Sequence, residues 1–515
     1  MDLPPIAVFD PIVRPKEGQT NKHAVVRSMK AIGLEVSTSS AKSIIFCPNR
    51  GVIAEATLPF PEDIADGPTQ HADGIVATAI DVLKEVVTSS GVDVNSIGAI
   101  GLSGTWHSLL LLDHDLRPLG RVRTWADLSA APTVAPLRRD EAAVREFYHR
   151  TGCMTHALYP VWKWIHLART QPEIPRKTAY LSSQLEYVHQ ALTSERSVSK
   201  CAASGTGLMN INSLDWDDEI LRFAGIRRDQ LGELVEAFHT APLLSSVARE
   251  VGLPSGLPVT VGCSDGAMNQ VGIGGVAEGI MSMSVGTSGA LRVAHQEPKI
   301  PDKPSTWCYY LFGGKRLAGA AINGATNCVD WYLDCVSGRD TGHRDYRGFT
   351  EGASGVCQEK APYFLPFLFG ERCPGWHEEK TGSFYRLKAS HSEFDLYYSI
   401  LEGVLFNMYQ CYLILAEIGG MPRKVLMSGG ILKSPLWSQM AADIFQRELL
   451  ATGAANDSTV GAALIALESV GGIDSVCDYQ PDVIMTFTPR DDKVRIYESR
   501  FRTYLDLYAE LRQTS

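Results

Sequence analysis

The stretch VTVGCSDGAMNQVGIG, residues 259–274, decides how the rest of the chain is interpreted. Its apolar, β-branched start stops at Gly262, and Asp265 follows where a helical pattern begins. The pattern predicts a strand, a tight turn and a helix with Asp265 in its first turn. A helix N-terminus stabilises an ionised carboxylate, and a carboxylate in a cleft can accept a proton from an alcohol. Taken alone, the local sequence favours the simpler role of Ser264 or Asp265 as an N-cap.

The composition indicates a globular protein of more than one domain. The chain has 515 residues, of which 45% are hydrophobic and 21% charged, and such a length exceeds what one core usually holds. The net charge of −10 argues against a nucleic-acid or membrane-surface partner. The sequence has no obvious membrane span or secretion signal, and its 11 cysteines are scattered without metal-ligand spacing. We therefore expect a reduced, cytoplasmic protein.

The order of predicted elements indicates a mixed α/β fold with an internal repeat. Predicted strands such as Val259–Cys263 and Ile280–Val285 alternate with helices such as Ile75–Thr88, which is typical of α/β proteins. The patterns from Ala130 to about Val235 are mainly helical. The segments EVSTSSAK (35–42) and SVGTSGAL (284–291) share four residues in register, nearly half the chain apart, and this predicts two similar domains. We expect an N-terminal arm at 1–28, a first domain at 29–275 and a second at 276–515.

Each copy of the repeat contains a turn of small residues, at 37–40 and at 286–288. Such turns offer backbone N–H groups and hydroxyls to an anion, although a single turn of this kind is usually only a turn. Together they predict a polyphosphate site between the domains. The segment GIGGVA (272–277) fits a dinucleotide pattern but follows a helix instead of a strand, and no P-loop motif occurs. An ATP site must therefore be of another type.

Seven segments in order resemble the FGGY carbohydrate kinases, of the actin and hexokinase-like superfamily, over nearly the whole chain. The segments are LEVSTSSAK (34–42), SGTWHS (103–108), TWAD (124–127), VGCSDG (261–266), SVGTSGA (284–290), LFGERCPGW (368–376) and SGGILKSPLWSQMAADI (428–444). The resemblance implies two actin/hexokinase-like (ribonuclease H-like) α/β domains, each with a mixed central sheet, and a cleft between them. It also implies ATP and Mg²⁺ as cofactors and a small sugar or sugar acid as substrate, and it suggests a homodimer.

The resemblance also assigns roles to residues. Asp265 is implied to be the general base for the sugar hydroxyl, and Glu35 and Asp265 are implied to be Mg²⁺ ligands. The substrate pocket is implied to contain Trp106, His107, Asp127 and Asp265. The ATP phosphates are implied to bind at Ser37, Thr38, Ser39, Ser40, Gly286, Thr287 and Ser288, and the adenosine side to lie at Gly324, Gly429 and Gly430.

Within the family, the motifs HS (107–108), TWAD (124–127) and ASGTGL (203–208) resemble those of gluconokinases. We therefore expect phosphorylation of gluconate to 6-phosphogluconate. The first phosphate motif departs from the family pattern, because Glu35 and Ser37 stand where the family has aspartate and glycine. The alternatives are a kinase for a ketose or polyol, as in xylulokinases, and a non-catalytic sugar-binding regulator. No residue is evident for a substrate carboxylate, since Arg372 is expected in an ion pair between the lobes.

Overall fold

The fold is described from a computed structural model that covers residues 29–337, 344–453 and 457–514. The predicted arm at 1–28 lies outside the described residues. Two mixed β-sheets, one in each half of the chain, form the framework.

The first sheet is built from residues before 265. Its strands are β1 (Lys30–Val36), β2 (Ser40–Cys47), β3 (Gly51–Pro59), β4 (Ile97–Gly104), β5 (Thr240–Pro242), β6 (Pro258–Thr260) and β7 (Cys263–Ser264). Their order across the sheet is β5-β6-β4-β1-β2-β3, and β7 also pairs with β4. The strands β1, β4 and β7 run parallel, so their carboxyl ends meet at one edge.

The second sheet follows at once in the sequence. Its strands are β8 (Ile280–Val285), β9 (Gly289–His295), β10 (Trp307–Tyr310), β11 (Arg316–Ile322), β12 (Lys424–Ser428), β13 (Leu449–Thr452) and β14 (Val483–Phe487). Their order is β10-β11-β9-β8-β12-β13-β14. The strands β8 and β12 are parallel, and their carboxyl ends also share an edge.

The two sheets have the same core topology. In each, a three-stranded antiparallel meander is followed by two parallel pairings and one antiparallel edge, as β3-β2-β1-β4-β6-β5 and as β11-β9-β8-β12-β13-β14. The two similar segments at 35–42 and 284–291 form equivalent hairpins, β1–β2 and β8–β9. The internal repeat inferred from sequence is therefore present in the fold.

Helices cover the sheets and connect the halves. The main ones are α1 (Ala72–Ser90), α2 (Asp265–Gly272), α3 (Glu393–Gly419), α4 (Pro435–Phe445), α5 (Asp457–Ser469) and α6 (Asp491–Thr514). In the part of the chain that the structure describes, α3 is the one helix with the length and apolarity of a membrane span, and 78% of its most apolar window is buried inside the protein. That burial is typical of a core helix.

Shorter elements are inserted between the main ones. Additional helices are Glu141–Thr151, Pro160–Thr170, Gln184–Thr193, Asp218–Ala224, Ser245–Val251 and Tyr346–Ala353, with single turns at Ala131–Val134, Glu173–Lys177, Lys200–Ser204 and Thr326–Trp331. Small sheets pair Ala65–Asp66 with Thr69–Gln70 and Val122–Arg123, Leu110–Leu112 with Tyr180–Ser182, Ser197–Ser199 with Glu233–Val235, Met209–Asn210 with Asp215–Trp216, and Tyr363–Leu365 with Ser383–Tyr385.

Helices α2 and α5 cross at the base of the cleft between the halves. The helix α5 belongs to the second half of the chain but packs on β1 and β4 of the first sheet. Glycines permit this close approach: a Cβ on Gly101 would lie 1.9 Å from the Ala462 carbonyl oxygen, and one on Gly461 would lie 2.0 Å from that of Met268. Because α2 begins at Asp265, this packing fixes the position of that carboxylate.

Most strands and helices lie where the sequence predicts them, and two regions differ. The predicted strand at 259–263 is split into β6 and β7, because Gly262 adopts a φ of +86°. The region from Ala130 to about Val235 was expected to be mainly helical. It also contains strands of two or three residues, which are too short to produce a periodic hydrophobic pattern.

Candidate active site

A cavity of about 520 Å³ opens between the two halves. The carboxyl ends of the parallel strands β1, β4, β7 and β8 contribute the segments that border it. Lining residues from the first half include Thr38, Trp106, His107, Trp125, His156, Leu158 and Asp265, and those from the second half include Thr287, Ser288, Ala290, Arg292, Trp307, Tyr309, Asn323, Asn327, Glu371, Arg372 and Glu378. Both halves are therefore needed to form the site.

Asp265 is the first residue of α2, and its carboxylate accepts a hydrogen bond of 2.7 Å from the Gly266 N–H. Burial raises the pKa of Asp265 above its ordinary value, and the Gly266 hydrogen bond and the charge of Arg292 partly offset that effect. Ser264 occupies the N-cap position, but its hydroxyl makes no capping bond and is buried without a partner. Ser264 therefore makes no capping bond with its side chain, whereas Asp265 both satisfies one N–H of the first turn and lines the cavity.

His107 follows β4 and faces the cavity in a left-handed backbone conformation, with φ of +66°. Its Nδ1 lies 2.7 Å from the Gly205 carbonyl oxygen. Because a carbonyl only accepts, Nδ1 carries the proton and Nε2 is an acceptor. Burial lowers the pKa of His107 well below its ordinary value, so the ring is neutral. The buried Lys163 fixes this loop, since its ammonium group donates to the carbonyls of His107 and Thr124.

Trp106 forms one wall of the cavity with two aromatic rings of the second half. Its indole N–H donates to the Cys201 carbonyl at 3.1 Å. Its ring centroid lies 4.9 Å from that of Tyr309 and 5.9 Å from that of Trp307. The wall is apolar and rigid, which suits the C–H face of a sugar.

Asp127 lies beside the cavity but does not line it, although its neighbours Ala126 and Leu128 do. Its carboxylate pairs with Arg123 at 2.9 Å and accepts a hydrogen bond of 3.0 Å from the Ser129 N–H. Burial alone would raise the pKa of Asp127, but the contacts with Ser129 and Arg123 outweigh it and lower the pKa below its ordinary value. Its predicted contact with substrate remains a prediction.

The two small-residue turns face each other across the cleft, and Thr38, Thr287 and Ser288 line the cavity. In the first turn, the Ser37 hydroxyl accepts from the N–H groups of Ser39 and Ser40, at 3.3 and 3.1 Å. In the second turn, Gly286 N–H donates to the Ser288 carbonyl at 2.9 Å.

The glycines expected on the adenosine side lie next to the second turn. Gly429 follows β12 with a φ of +96°, and a Cβ there would lie 2.5 Å from the Val285 carbonyl. Gly430 approaches Thr326, and Gly324 packs against the Pro366 carbonyl. All three are outside the lining of the large cavity, and their contact with a nucleotide stays a prediction.

Glu35 is a buried carboxylate on β1 near Asp265. Burial and the charge of Asp265 raise the pKa of Glu35, whereas Ser458 and Lys42 act in the opposite direction. In the described ranges, no group of three or more His, Cys, Asp and Glu side chains is arranged to hold a metal ion. Mg²⁺ commonly takes one or two carboxylates together with substrate phosphates. The pair Glu35 and Asp265 fits that donor set.

Several site residues were not found from the sequence. Arg292 lies in the middle of β9 between buried apolar residues. A charged residue at such a position is also typical of a strand with one face in solvent, so the sequence did not mark it as a site residue. Asp457, at the start of α5, accepts from the Asn269 amide at 3.2 Å, and burial raises the pKa of Asp457 to about 7. Arg372 was expected in an ion pair between the lobes, but in the part of the chain that the structure describes its guanidinium has no carboxylate within 4.0 Å, and its Nε is buried without a hydrogen-bond partner.

Comparison with known proteins shows which family shares this architecture. The FGGY family of carbohydrate kinases, N-terminal domain, matches residues 30–272, and the C-terminal domain of the same family matches residues 281–469. The gluconokinase of Bacillus subtilis (strain 168) is 29% identical over 492 residues, which cover 92% of this chain and 95% of that protein. The xylulose kinase of the same organism is 27% identical over 489 residues, with 93% and 96% covered.

Solved structures share the fold. The gluconate kinase from Lactobacillus acidophilus superposes with a TM-score of 0.88 at 24% identity, over 94% of this chain and 98% of that one. The ligand-bound xylulose kinase from the same organism gives the same TM-score, identity and coverage. The actin/hexokinase-like fold expected from the sequence is thereby confirmed. With both domain matches, the chain belongs to the FGGY family of carbohydrate kinases, which use ATP as phosphate donor.

Proposed function

We propose that this carbohydrate kinase transfers the γ-phosphoryl group of ATP to a terminal hydroxyl of a sugar acid, converting gluconate to 6-phosphogluconate. The names of similar proteins support both gluconate and xylulose as substrates. The preference for an acid rests on the cations that face the cavity, Arg292 and Arg372.

The observation that carries the assignment of the base is the state of the carboxylates in the cavity. Three carboxylates line it. Glu371 pairs with Lys380 at 2.8 Å, and Glu378 pairs with Arg138 at 2.8 Å. Within the described residues, only Asp265 of the three has no cation within 4.0 Å. Its raised pKa also brings its basicity closer to that of the alcohol it must activate.

In the proposed mechanism, Asp265 accepts the proton of the substrate hydroxyl as the oxygen attacks the γ-phosphorus. A bond from that oxygen to phosphorus forms, the bond to the β-phosphate oxygen breaks, and ADP leaves. His107 accepts a hydrogen bond from another hydroxyl through Nε2, while Trp106 and Asp127 shape the pocket. Closing the lobes over the substrate excludes water, which otherwise competes for the phosphoryl group.

The two turns are proposed to hold the phosphates through their N–H groups and hydroxyls, and Gly324, Gly429 and Gly430 to border the adenosine. Glu35 and Asp265 would hold Mg²⁺, which when bound neutralises phosphate charge. We also propose that the protein works in the cytoplasm as a homodimer, on small molecules and not on nucleic acid or membranes. The 11 free cysteines support a reducing compartment, and light scattering coupled to gel filtration would test the dimer.

The test is ADP release from Mg-ATP with a panel of sugar acids, ketoses and polyols. Asp265→Asn should lower kcat by about 100- to 10,000-fold, because the amide cannot accept the proton. Asp115→Asn is a matched control, since the side chain of Asp115 is 71% exposed and does not line the cavity. Full turnover by Asp265→Asn would overturn the mechanism.

The panel also separates the alternatives. Turnover of xylulose without turnover of gluconate would identify a ketose kinase. No ADP release with any acceptor, while ATP still binds, would favour the non-catalytic regulator. The replacements Glu35 and Ser37 are the sequence evidence for that alternative.

A further inference from the structure

Arg292 faces the cavity from the strand that begins at the second phosphate turn. Side chains alternate along a strand, so Ala290 and Arg292 share the face of β9 that lines the cavity. Arg292 is four positions beyond Ser288, or about 13 Å of extended chain. The backbone of Arg292 is thus remote from the turn proposed to bind ATP.

Arg292 is also close to the proposed base and to the aromatic wall. A Cβ on Gly266, the residue after Asp265, would lie 3.2 Å from Arg292 Nε and 2.7 Å from the Trp106 ring. Arg292 pairs across the sheet with Gly319, against which the Trp307 ring packs. The guanidinium therefore borders the pocket in which the sugar is proposed to bind.

The charge of Arg292 is poorly compensated. Its Nη1 donates to the Asn269 side-chain oxygen at 3.3 Å, and its Nε is buried without a partner. Burial lowers the pKa of Arg292 to about 10, and the charges of Asp265 and Asp457 offset that effect only in part, since no carboxylate lies within 4.0 Å of it in the described ranges of the chain. A buried cation without a directly paired carboxylate is costly, and an anionic ligand would reduce that cost.

Arg372 adds a second cation, and its acidic neighbours are already engaged. Glu371 accepts from Lys380 and from the Tyr508 hydroxyl, and Glu378 accepts from Arg138 and His156. After these pairs are set aside, Asp265 is the one remaining carboxylate among the described residues that line the cavity with Arg292 and Arg372. The site therefore carries an excess of positive charge toward its ligand.

The two arginines differ in their distance from the phosphate turn. Cys373, next to Arg372, donates to the Ala321 carbonyl at 3.0 Å, and Ala321 pairs with Ala290. Ala290 is two residues beyond Ser288, whereas Arg292 is four residues beyond it. The backbone of Arg372 is therefore nearer to the second phosphate turn than the backbone of Arg292 is.

We propose that Arg292 is a specificity-determining residue that binds the carboxylate of the sugar acid. This inference rests on the proposed function. A guanidinium pairs with a carboxylate through two parallel hydrogen bonds, and Arg292 lines the cavity while its buried Nε has no hydrogen-bond partner. The same chemistry would suit the terminal phosphoryl group of ATP, and the experiment must distinguish the two anions.

The test compares gluconate with sorbitol, which has a hydroxymethyl group in place of the carboxylate, in the wild type, Arg292→Gln and Arg292→Lys. We expect Arg292→Gln to raise KM for gluconate by about 10- to 100-fold, the worth of a hydrogen bond to a charged group. Its kcat should fall much less, and KM for ATP and the affinity for sorbitol should stay unchanged. Arg292→Lys should have a KM for gluconate between those of the wild type and Arg292→Gln, because lysine keeps the charge but cannot form the two parallel hydrogen bonds of a guanidinium. Arg117→Gln, at a side chain that is 77% exposed, is the matched control.

Each result has one interpretation. The inference is overturned if Arg292→Gln loses affinity equally for gluconate and sorbitol, or if its KM for gluconate is unchanged. Turnover of gluconate by the wild type would still support the proposed function in that case. A raised KM for ATP together with a reduced kcat assigns Arg292 to the phosphoryl group instead. If Arg292→Gln fails to fold, calorimetry on the wild type without ATP can compare the affinities for gluconate and sorbitol. Equal affinities would overturn the inference. Turnover of ketoses but of no sugar acid rejects the proposed function itself.

Discussion

The Ser37 hydroxyl occupies backbone N–H groups of the first turn, which is proposed to bind phosphate. A phosphate-binding turn works through free backbone N–H groups. In the first turn, the hydroxyl of Ser37 already accepts from the N–H groups of Ser39 and Ser40. An incoming phosphate must displace this hydroxyl or bind through the remaining donors. The replacement of the family glycine by Ser37 therefore has a physical consequence for ATP binding.

We expect Ser37→Gly to lower KM for ATP by about two- to tenfold, the range of one ordinary hydrogen bond, with little change in KM for the sugar. Steady-state kinetics with ATP varied at saturating acceptor measures this. Ser255→Gly is the matched control, because the exposed Ser255 hydroxyl bonds to that of Ser245 and neither residue lines the cavity. If Ser37→Gly raised KM for ATP, the Ser37 hydroxyl would itself be a phosphate ligand.

At the scale of elements, the crossing of α2 and α5 sets the geometry of the cleft. Gly461 faces the Met268 carbonyl, and Gly272 faces the Asp457 carbonyl, where a Cβ would lie 1.8 Å away. Each contact is between backbone atoms, which cannot rotate aside as a side chain can. The separation of the two helices is therefore set by the absence of side chains.

We expect Gly461→Ala to cost about 1–3 kcal/mol in the free energy of unfolding, as overpacking of a tight core does. It should also lower kcat, because displacing α2 moves Asp265 away from the substrate hydroxyl. Gly120→Ala is the matched control, since a Cβ at Gly120 meets no atom within 4 Å. Urea unfolding and turnover are the measurements. Equal stability of the two variants would mean that the helices can separate without penalty.

The same scale shows what sequence reasoning could predict. Strand β8 was predicted at 280–285, and helix α1 was predicted within three residues of its start and two of its end, because both have a regular hydrophobic period. Trp106, His107 and Asp265 were found because they follow strands in recognisable motifs. Arg292 was not, because a charged residue within a strand pattern reads as a solvent-facing position. Its orientation depends on a cavity that only the assembled halves create.

At the scale of the molecule, the two halves are joined across the cavity rim by a set of charged groups. Glu378 of the second half pairs with Arg138 at 2.8 Å and with His156 at 2.7 Å, both in the first half. Although burial acts in the opposite direction, His156 and Arg138 lower the pKa of Glu378 to about 2. Arg138 and Glu378 are 240 residues apart in the sequence. No local sequence pattern could therefore have predicted that they pair. This cluster links the two halves of the molecule beside the cavity.

We expect Glu378→Gln to favour a more open molecule, because the amide keeps the shape of the side chain and loses its charge. The radius of gyration from small-angle X-ray scattering without ligands should increase. KM for the sugar should rise about tenfold, consistent with the loss of a hydrogen bond to a charged group, since binding must then supply the energy of closure. At saturating sugar, kcat should change less, because Asp265 and the phosphate turns are intact. Glu351→Gln is the matched control, as its ion pair with Arg347 is exposed on both sides. An unchanged radius with an unchanged KM would mean that closure depends on the packing of α2 against α5 and not on charges at the rim.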